Sequence, residues 1–214
     1  MRLIFLGAPG SGKGTQAKRL AQKFNLDHIS TGDILRKAIK DQTQLGLEAR
    51  AYIDAGELVP DNIILGMIRE ELTNQSRGFI FDGFPRTTAQ AEGLEKILRE
   101  VRMTIDRVIN LAVDDAVIVD RLVSRQLCRN CGQEYNLKTK PPKKENVCDL
   151  CGGELYRRPD DTADVIKNRL MVYHKKTRPI EDFYRSRGLL TEIDGNRNFD
   201  EVFGSIADAI SVVK

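Results

Sequence analysis

The segment Gly7-Ala8-Pro9-Gly10-Ser11-Gly12-Lys13-Gly14-Thr15 sets four glycines around a single lysine. Glycines at that density let several backbone N–H groups turn into one concavity, which is a cradle for anionic oxygens. Lys13 adds a mobile positive charge of the kind that reaches β and γ phosphates. Gly14 stands where a Ser or Thr usually follows the lysine, so Thr15 is a displaced candidate for the hydroxyl beside a metal ion. A dinucleotide-binding reading of the same glycines fails, because Thr15 occupies the place of its third glycine and Lys13 would have no role.

A second cluster is Asp82-Gly83-Phe84-Pro85-Arg86, with Gln90 four residues on. A carboxylate at a strand end can hold Mg²⁺ through the ion's own waters, which Mg²⁺ gives up reluctantly. Arg86 adds a cation to the same crevice, and the Gln90 amide offers a donor and an acceptor to match an adenine edge. The third cluster is Cys128-x-x-Cys131 and Cys148-x-x-Cys151, each pair followed by a glycine, Gly132 and Gly152. Four thiolates at that spacing complete a tetrahedral Zn²⁺ shell with no open position, so the metal would be structural.

Those clusters need elements to hold them. An apolar run over 2–7 precedes the glycines, and Ala17, Leu20, Ala21 and Phe24 follow at helical spacing, giving strand, loop and helix. Further strands are expected at 27–30, 78–82, 107–113 and 189–194, with helices at 33–40, 61–74, 88–101, 115–125, 161–187 and 200–213. The alternation predicts an α/β fold with a parallel five-stranded sheet flanked by helices, and the glycine loop between its first strand and helix makes it of P-loop NTPase type. On the 115–125 helix, Arg121 and Arg125 would share a face. Two stretches break the alternation. The division expected is a core of 1–29, 60–125 and 160–214, a helical lobe of 30–59 and a lid of 126–159.

The chain has 214 residues, 34 Lys+Arg against 31 Asp+Glu, and a net charge of +3. Residues 121–158 hold nine Lys or Arg against four Asp or Glu, an excess of five that leaves −2 elsewhere. The basic charge is local, which excludes a general polycation and directs attention to the lid. No apolar stretch reaches 18 residues and no targeting segment stands at the start, so a cytoplasmic location without membrane partners is expected. Reduced thiols in that compartment favour metal over disulfides. His28 and His174 sit in no ligand spacing and read as structural.

Taken together, the glycine loop, Ser30-Thr31-Gly32-Asp33 with Arg36, and DGFPRTTAQ resemble the adenylate kinases, in the long-lid form of the nucleoside monophosphate kinases. The resemblance spans essentially the whole chain. It implies MgATP + AMP giving two ADP, with the 30–59 lobe closing over AMP. ATP contacts are implied at Gly10, Ser11, Gly12, Lys13, Gly14 and Thr15. AMP contacts are implied at Thr31, Arg36, Glu57, Leu58, Val59, Gly83, Phe84, Pro85, Arg86 and Gln90. Arg121, Arg125, Arg158 and Arg169 are implied around the transferring phosphoryl group, and Glu134, Tyr135 and Arg197 on the nucleotide. The resemblance also implies a monomer. A kinase for another monophosphate is the first competing reading. A GTPase is disfavoured by the absence of Asn-Lys-x-Asp, and a zinc-ribbon ATPase gripping nucleic acid by a lid poor in aromatics, with Tyr135 beside the cysteines and no base-stacking platform.

Overall fold

A computed structural model describes residues 1–73 and 75–211. Five strands form one parallel sheet: β1 (Arg2–Gly7), β2 (Asp27–Ser30), β3 (Phe79–Asp82), β4 (Arg107–Ala112) and, after three short lid strands, β8 (Leu190–Asp194). Their order is β2-β3-β1-β4-β8. The apolar run of β1 faces both ways because strand side chains alternate. Leu3 and Phe5 join one apolar layer with Ala17 and Leu20 of α1 (Lys13–Phe24) and Phe203 and Ile206 of the final helix. Ile4 and Leu6 join the other, with Ile68 of α4 (Asp61–Thr73) and Leu94 of α5 (Thr88–Glu100). Leu3, Ile4 and Phe5 are fully buried, so this strand reads as continuously apolar, the signature of a sheet covered on both faces.

From β1 the chain steps to β2 and β3 on one side, then crosses back to β4 on the other. Parallel sheets open a crevice at the carboxyl ends of the strands where the direction of progression reverses. That switch point lies at β1, between β3 and β4, so Gly7 and Asp82 stand at neighbouring strand ends.

The second half of the chain departs from the expected pattern in two places. The helix after β4 is α6 (Asp115–Val123); it stops at Ser124, whose carbonyl accepts from Leu137 N–H, and Arg125 opens a lid strand, β5 (Arg125–Cys128). Arg121 and Arg125 therefore do not share a helix face. The expected helix over 161–187 is interrupted: α7 (Ala163–Val172), a π turn at Tyr173–Thr177, then α8 (Ile180–Arg185). Pro179 supplies no N–H, and Arg178 N–H reaches back five residues to Tyr173 O, so the ladder slips by one. The slip puts Thr177 Oγ1 2.9 Å from the Arg86 carbonyl, to which it donates. Between β2 and α4 lie α2 (Thr31–Lys40) and α3 (Gln44–Ala55), packed on each other. The final helix is α9 (Phe199–Ser211); the proposed ends at Asn74 and at 212–213 lie outside the described residues.

Within the lid, β5 pairs antiparallel with β6 (Glu134–Asn136) and β7 (Leu155–Tyr156). Its apolar cluster is only Cys128, Tyr135, Cys148 and Leu155. So small a core cannot hold a segment of this length, and a cross-link must supplement it.

Candidate active site

The phosphate cradle forms where β1 ends. Gly12 caps α1 in the left-handed region with φ 90°, no side chain caps the helix, and no acid stands in its first turn. The positive end of α1 is thus left open to an anion. The Gly14 departure has a structural reason: a Cβ there would stand 2.9 Å from Asp82 Oδ2. Any larger residue would push this carboxylate away, so Gly14 lets Asp82 approach the first turn of α1. Lys13 Nζ donates to Ala8 O at 3.1 Å. Burial pushes its pKa down to about 8, with the Asp82 charge pulling the other way.

Asp82 is also held by His28, whose Nε2 is 3.3 Å from Oδ2. Burial would raise the Asp82 carboxyl, but the His28 hydrogen bond and the Lys13 charge outweigh it and leave the pKa low. An ionised carboxylate beside the cradle suits a hydrated divalent cation, so the residues present fit Mg²⁺. His28, expected to be structural, thus braces Asp82 beside the candidate site. Its partner is 54 residues away, and only the register of β2 on β3, with Ser30 opposite Asp82, brings them together.

One crevice gathers Lys13, Thr31, Arg36, Glu57, Leu58, Val59, Gly83, Pro85, Arg86, Gln90 and Arg169, most of the residues expected around AMP. Arg86 Nε donates to Gly83 O at 2.6 Å, and burial holds its pKa below the ordinary arginine value. Arg36 pairs with Asp33 at 2.6 Å. Phe84 is different: it is fully buried, edge-on to Phe81 at 5.4 Å, and its side chain packs the core rather than the crevice.

The remaining arginines divide into anchored and unneutralised. Arg125 makes a two-pronged pair with fully buried Asp161, at 2.8 and 2.7 Å, and meets Glu134 at 3.4 Å. Burial lowers its pKa, but Asp161 more than reverses this. Arg169 pairs with Asp160 at 3.0 Å. Arg158 and Arg169 are nonetheless both pushed down to about 10, first by burial and then, for Arg158, by the Arg125 and Arg36 charges. The buried Arg158 Nε has no hydrogen-bond partner among the described residues. A buried donor on a cation is able to take an anionic oxygen at little further desolvation cost. Asp160 and Asp161 went unnoticed in the sequence; the signal was an acid pair directly behind Arg157-Arg158-Pro159.

Arg121 donates to Gly195 O at 2.9 Å and Ser11 O at 3.4 Å, which ties α6 to the cradle. Glu134 accepts from Thr15 Oγ1 at 2.5 Å, joining the lid to α1. Two further expectations meet a different geometry. Tyr135 is buried in the lid, its hydroxyl accepting from Asp149 N–H at 2.7 Å and lying 3.4 Å from Cys148 Sγ, so its side chain braces the cysteines. Arg197 donates to Asp194 O and Ser205 Oγ at the surface and is not part of the crevice lining.

The four cysteine sulfurs lie within 4.8 Å of one another, and none forms a disulfide. Cys128 and Cys151 Sγ are 3.4 Å apart, Cys131 and Cys148 Sγ 3.6 Å. Tetrahedral Zn²⁺ with bonds of about 2.3 Å requires sulfurs about 3.8 Å apart, close to this arrangement. Gly132 and Gly152, at φ 69° and 70°, make the same left-handed turn behind each pair and return their N–H to Cys128 O and Cys148 O. The donor set and both turns fit zinc. Chelation is expected to loosen residues 126–159 while the parallel sheet persists. Limited proteolysis followed by mass mapping checks this: cuts should concentrate in that segment, and cuts spread evenly over the chain would contradict a lid-restricted metal.

No helix among the described residues is long and apolar enough to cross a membrane. A family model described as adenylate kinase matches residues 5–189. Proteins named adenylate kinase from Bacillus pumilus and Carboxydothermus hydrogenoformans are each 50% identical over 212 residues, covering 98% of this chain and 98% and 99% of their own. One from Archaeoglobus fulgidus is 47% identical over 216 residues, 100% of both chains. A full-length match at this identity, on a phosphate cradle facing a cationic crevice, means that the chain belongs to the adenylate kinase family and is a nucleoside monophosphate kinase, a phosphotransferase.

Proposed function

We propose that the chain transfers the γ-phosphoryl group of magnesium-bound ATP reversibly to AMP, giving two ADP. The observation that carries the reading is the crevice itself, where Lys13, Arg36, Arg86 and Arg169 face one space and the nearby Arg158 Nε has no hydrogen-bond partner among the described residues. A transition state with charge spread over three equatorial oxygens needs alignment and positive charge more than covalent chemistry.

In this reading Gly10, Ser11, Gly12, Lys13, Gly14 and Thr15 hold the ATP phosphates through backbone N–H groups and the Lys13 charge. Thr31, Arg36, Glu57, Leu58, Val59, Arg86 and Gln90 hold AMP. Arg121, Arg125, Arg158 and Arg169 surround the phosphoryl group, with Arg125 fixed by Asp161 and Arg158 free to turn toward the substrate. Asp82 would hold Mg²⁺ through the ion's own waters, and the ion would supply positive charge against the triphosphate. No protein base is required, because the acceptor is already an anionic phosphate oxygen. Water competes as acceptor, so the centre must be dry before transfer. The Thr15–Glu134 bond, which seats the lid on α1, supports such a cover. Zinc in the four-cysteine site would serve structure alone. We further propose a cytoplasmic monomer.

A coupled assay for ADP formation from ATP with AMP, GMP, CMP or UMP tests the reading. ADP should form rapidly with AMP and far more slowly with the others. Equal rates with another monophosphate would move the assignment within the family, and ATP hydrolysis independent of any monophosphate would sink it.

A further inference from the structure

Gln90 is only 2% exposed, yet it lines the crevice. A buried amide takes its orientation from its protein partners, and here both are chemically unambiguous. Gln90 Oε1 accepts from the Arg86 backbone N–H at 2.8 Å, which can only donate. Gln90 Nε2 donates to Asp61 Oδ1 at 2.7 Å, which can only accept. The second oxygen of Asp61 accepts from Thr87 Oγ1 at 3.0 Å, and the same hydroxyl accepts from Gln90 N–H at 3.0 Å, capping α5. Asp61 stands in the first turn of α4, so this carboxylate is fixed at the meeting of two helices.

Among the described residues each end of the amide retains one unused site, a lone pair on Oε1 and a proton on Nε2. Adenine presents an amino donor beside a ring-nitrogen acceptor, which such an amide can satisfy in one fixed order. Guanine carries a carbonyl where adenine has the amino group, so it needs the amide reversed. Reversal would set Nε2 against a backbone N–H and Oε1 against a carboxylate, leaving two buried groups in conflict.

We infer that Asp61 is a positioning residue for acceptor specificity: it locks the Gln90 amide in the adenine-reading order and thereby raises the barrier to accepting a guanine monophosphate. The inference rests on the AMP reading above and adds to it a residue that does not line the crevice.

The test compares wild type with Asp61→Ser, whose hydroxyl is too short to reach Gln90, and Asp61→Asn, whose amide oxygen can still accept from Nε2. Kinetics are run with AMP and with GMP at saturating ATP, and equilibrium AMP binding is measured by calorimetry without ATP. In Asp61→Ser, KM and Kd for AMP should rise about tenfold and the AMP-to-GMP ratio of kcat/KM should fall about tenfold, with KM for ATP unchanged. In Asp61→Asn the ratio should stay within about threefold of wild type despite the lost charge. Asp61→Ala replaces Asp61→Ser should the latter melt below the assay temperature. An unchanged ratio in the Ser or Ala variant, or an equal fall in Asp61→Asn, overturns the inference while leaving the AMP reading intact. Failure of the wild type itself to use AMP overturns both, so the two failures are distinguishable.

Discussion

Lys13→Met is expected to lower kcat/KM for ADP formation by about 10²–10³-fold, or about 3–4 kcal/mol, the loss that follows removal of one preorganised charge at a developing anion. The side chain is half-buried and its Nζ sits on the Ala8 carbonyl, inside the turn proposed to hold the phosphates. Methionine keeps the length and apolar stem, so the fold should survive and the thermal midpoint should move little. Wild type carries a companion signature in pH. Burial lowers the Lys13 pKa to about 8, so the free enzyme loses this charge as pH rises through that value. The kcat/KM profile, which reports the free enzyme, should therefore fall on the alkaline side above about pH 8. Bound polyphosphate favours the charged form and moves the corresponding limb of kcat upward. Lys13→Met should lack this limb. Turnover close to wild type in the variant would remove Lys13 from the phosphate site.

Asp161→Ala is expected to destabilise the protein by about 3–5 kcal/mol, read as a lower urea midpoint, because it strands a buried charge. Asp161 is fully buried and holds Arg125 with two hydrogen bonds, with Arg169 3.4 Å from Oδ1. Removing it leaves Arg125 crowding Arg158, which already suffers from that neighbour. Activity should fall as well, since Arg125 would lose its only two-pronged anchor, and Asp161→Asn should recover part of the stability by keeping an acceptor. A loss under about 1 kcal/mol in Asp161→Ala would mean that solvent reaches the pair and that Arg125 is not held by it.

The phosphate cradle and the four-cysteine site were legible in the sequence for a common reason: each is written in short contiguous spacings whose chemistry depends on local turns. The alternation of short apolar runs, such as 2–7 and 107–113, with helical patterns likewise announced a doubly covered parallel sheet; the second strand closes one residue earlier, at Ala112. Helical spacing misled at Arg125, where the end of α6 is decided by the Ser124 carbonyl receiving Leu137 N–H from the lid. It misled again across 161–187, where a proline and a five-residue hydrogen bond break a pattern that stays apolar on one face. The family resemblance implied Tyr135 as a nucleotide contact and gave no sign of its second role: the lid has almost no core of its own and uses the ring for packing.

Sequence by itself determined which residues carry charge, sulfur and backbone freedom, since these are properties of side-chain type and short-range geometry. Tertiary structure alone decided which charges are neutralised and which groups face each other: His28 with Asp82, Arg125 with Asp161, Gln90 with Asp61. Those pairs are 54, 36 and 29 residues apart, and strand register and helix packing, which no local spacing encodes, bring them within bonding distance.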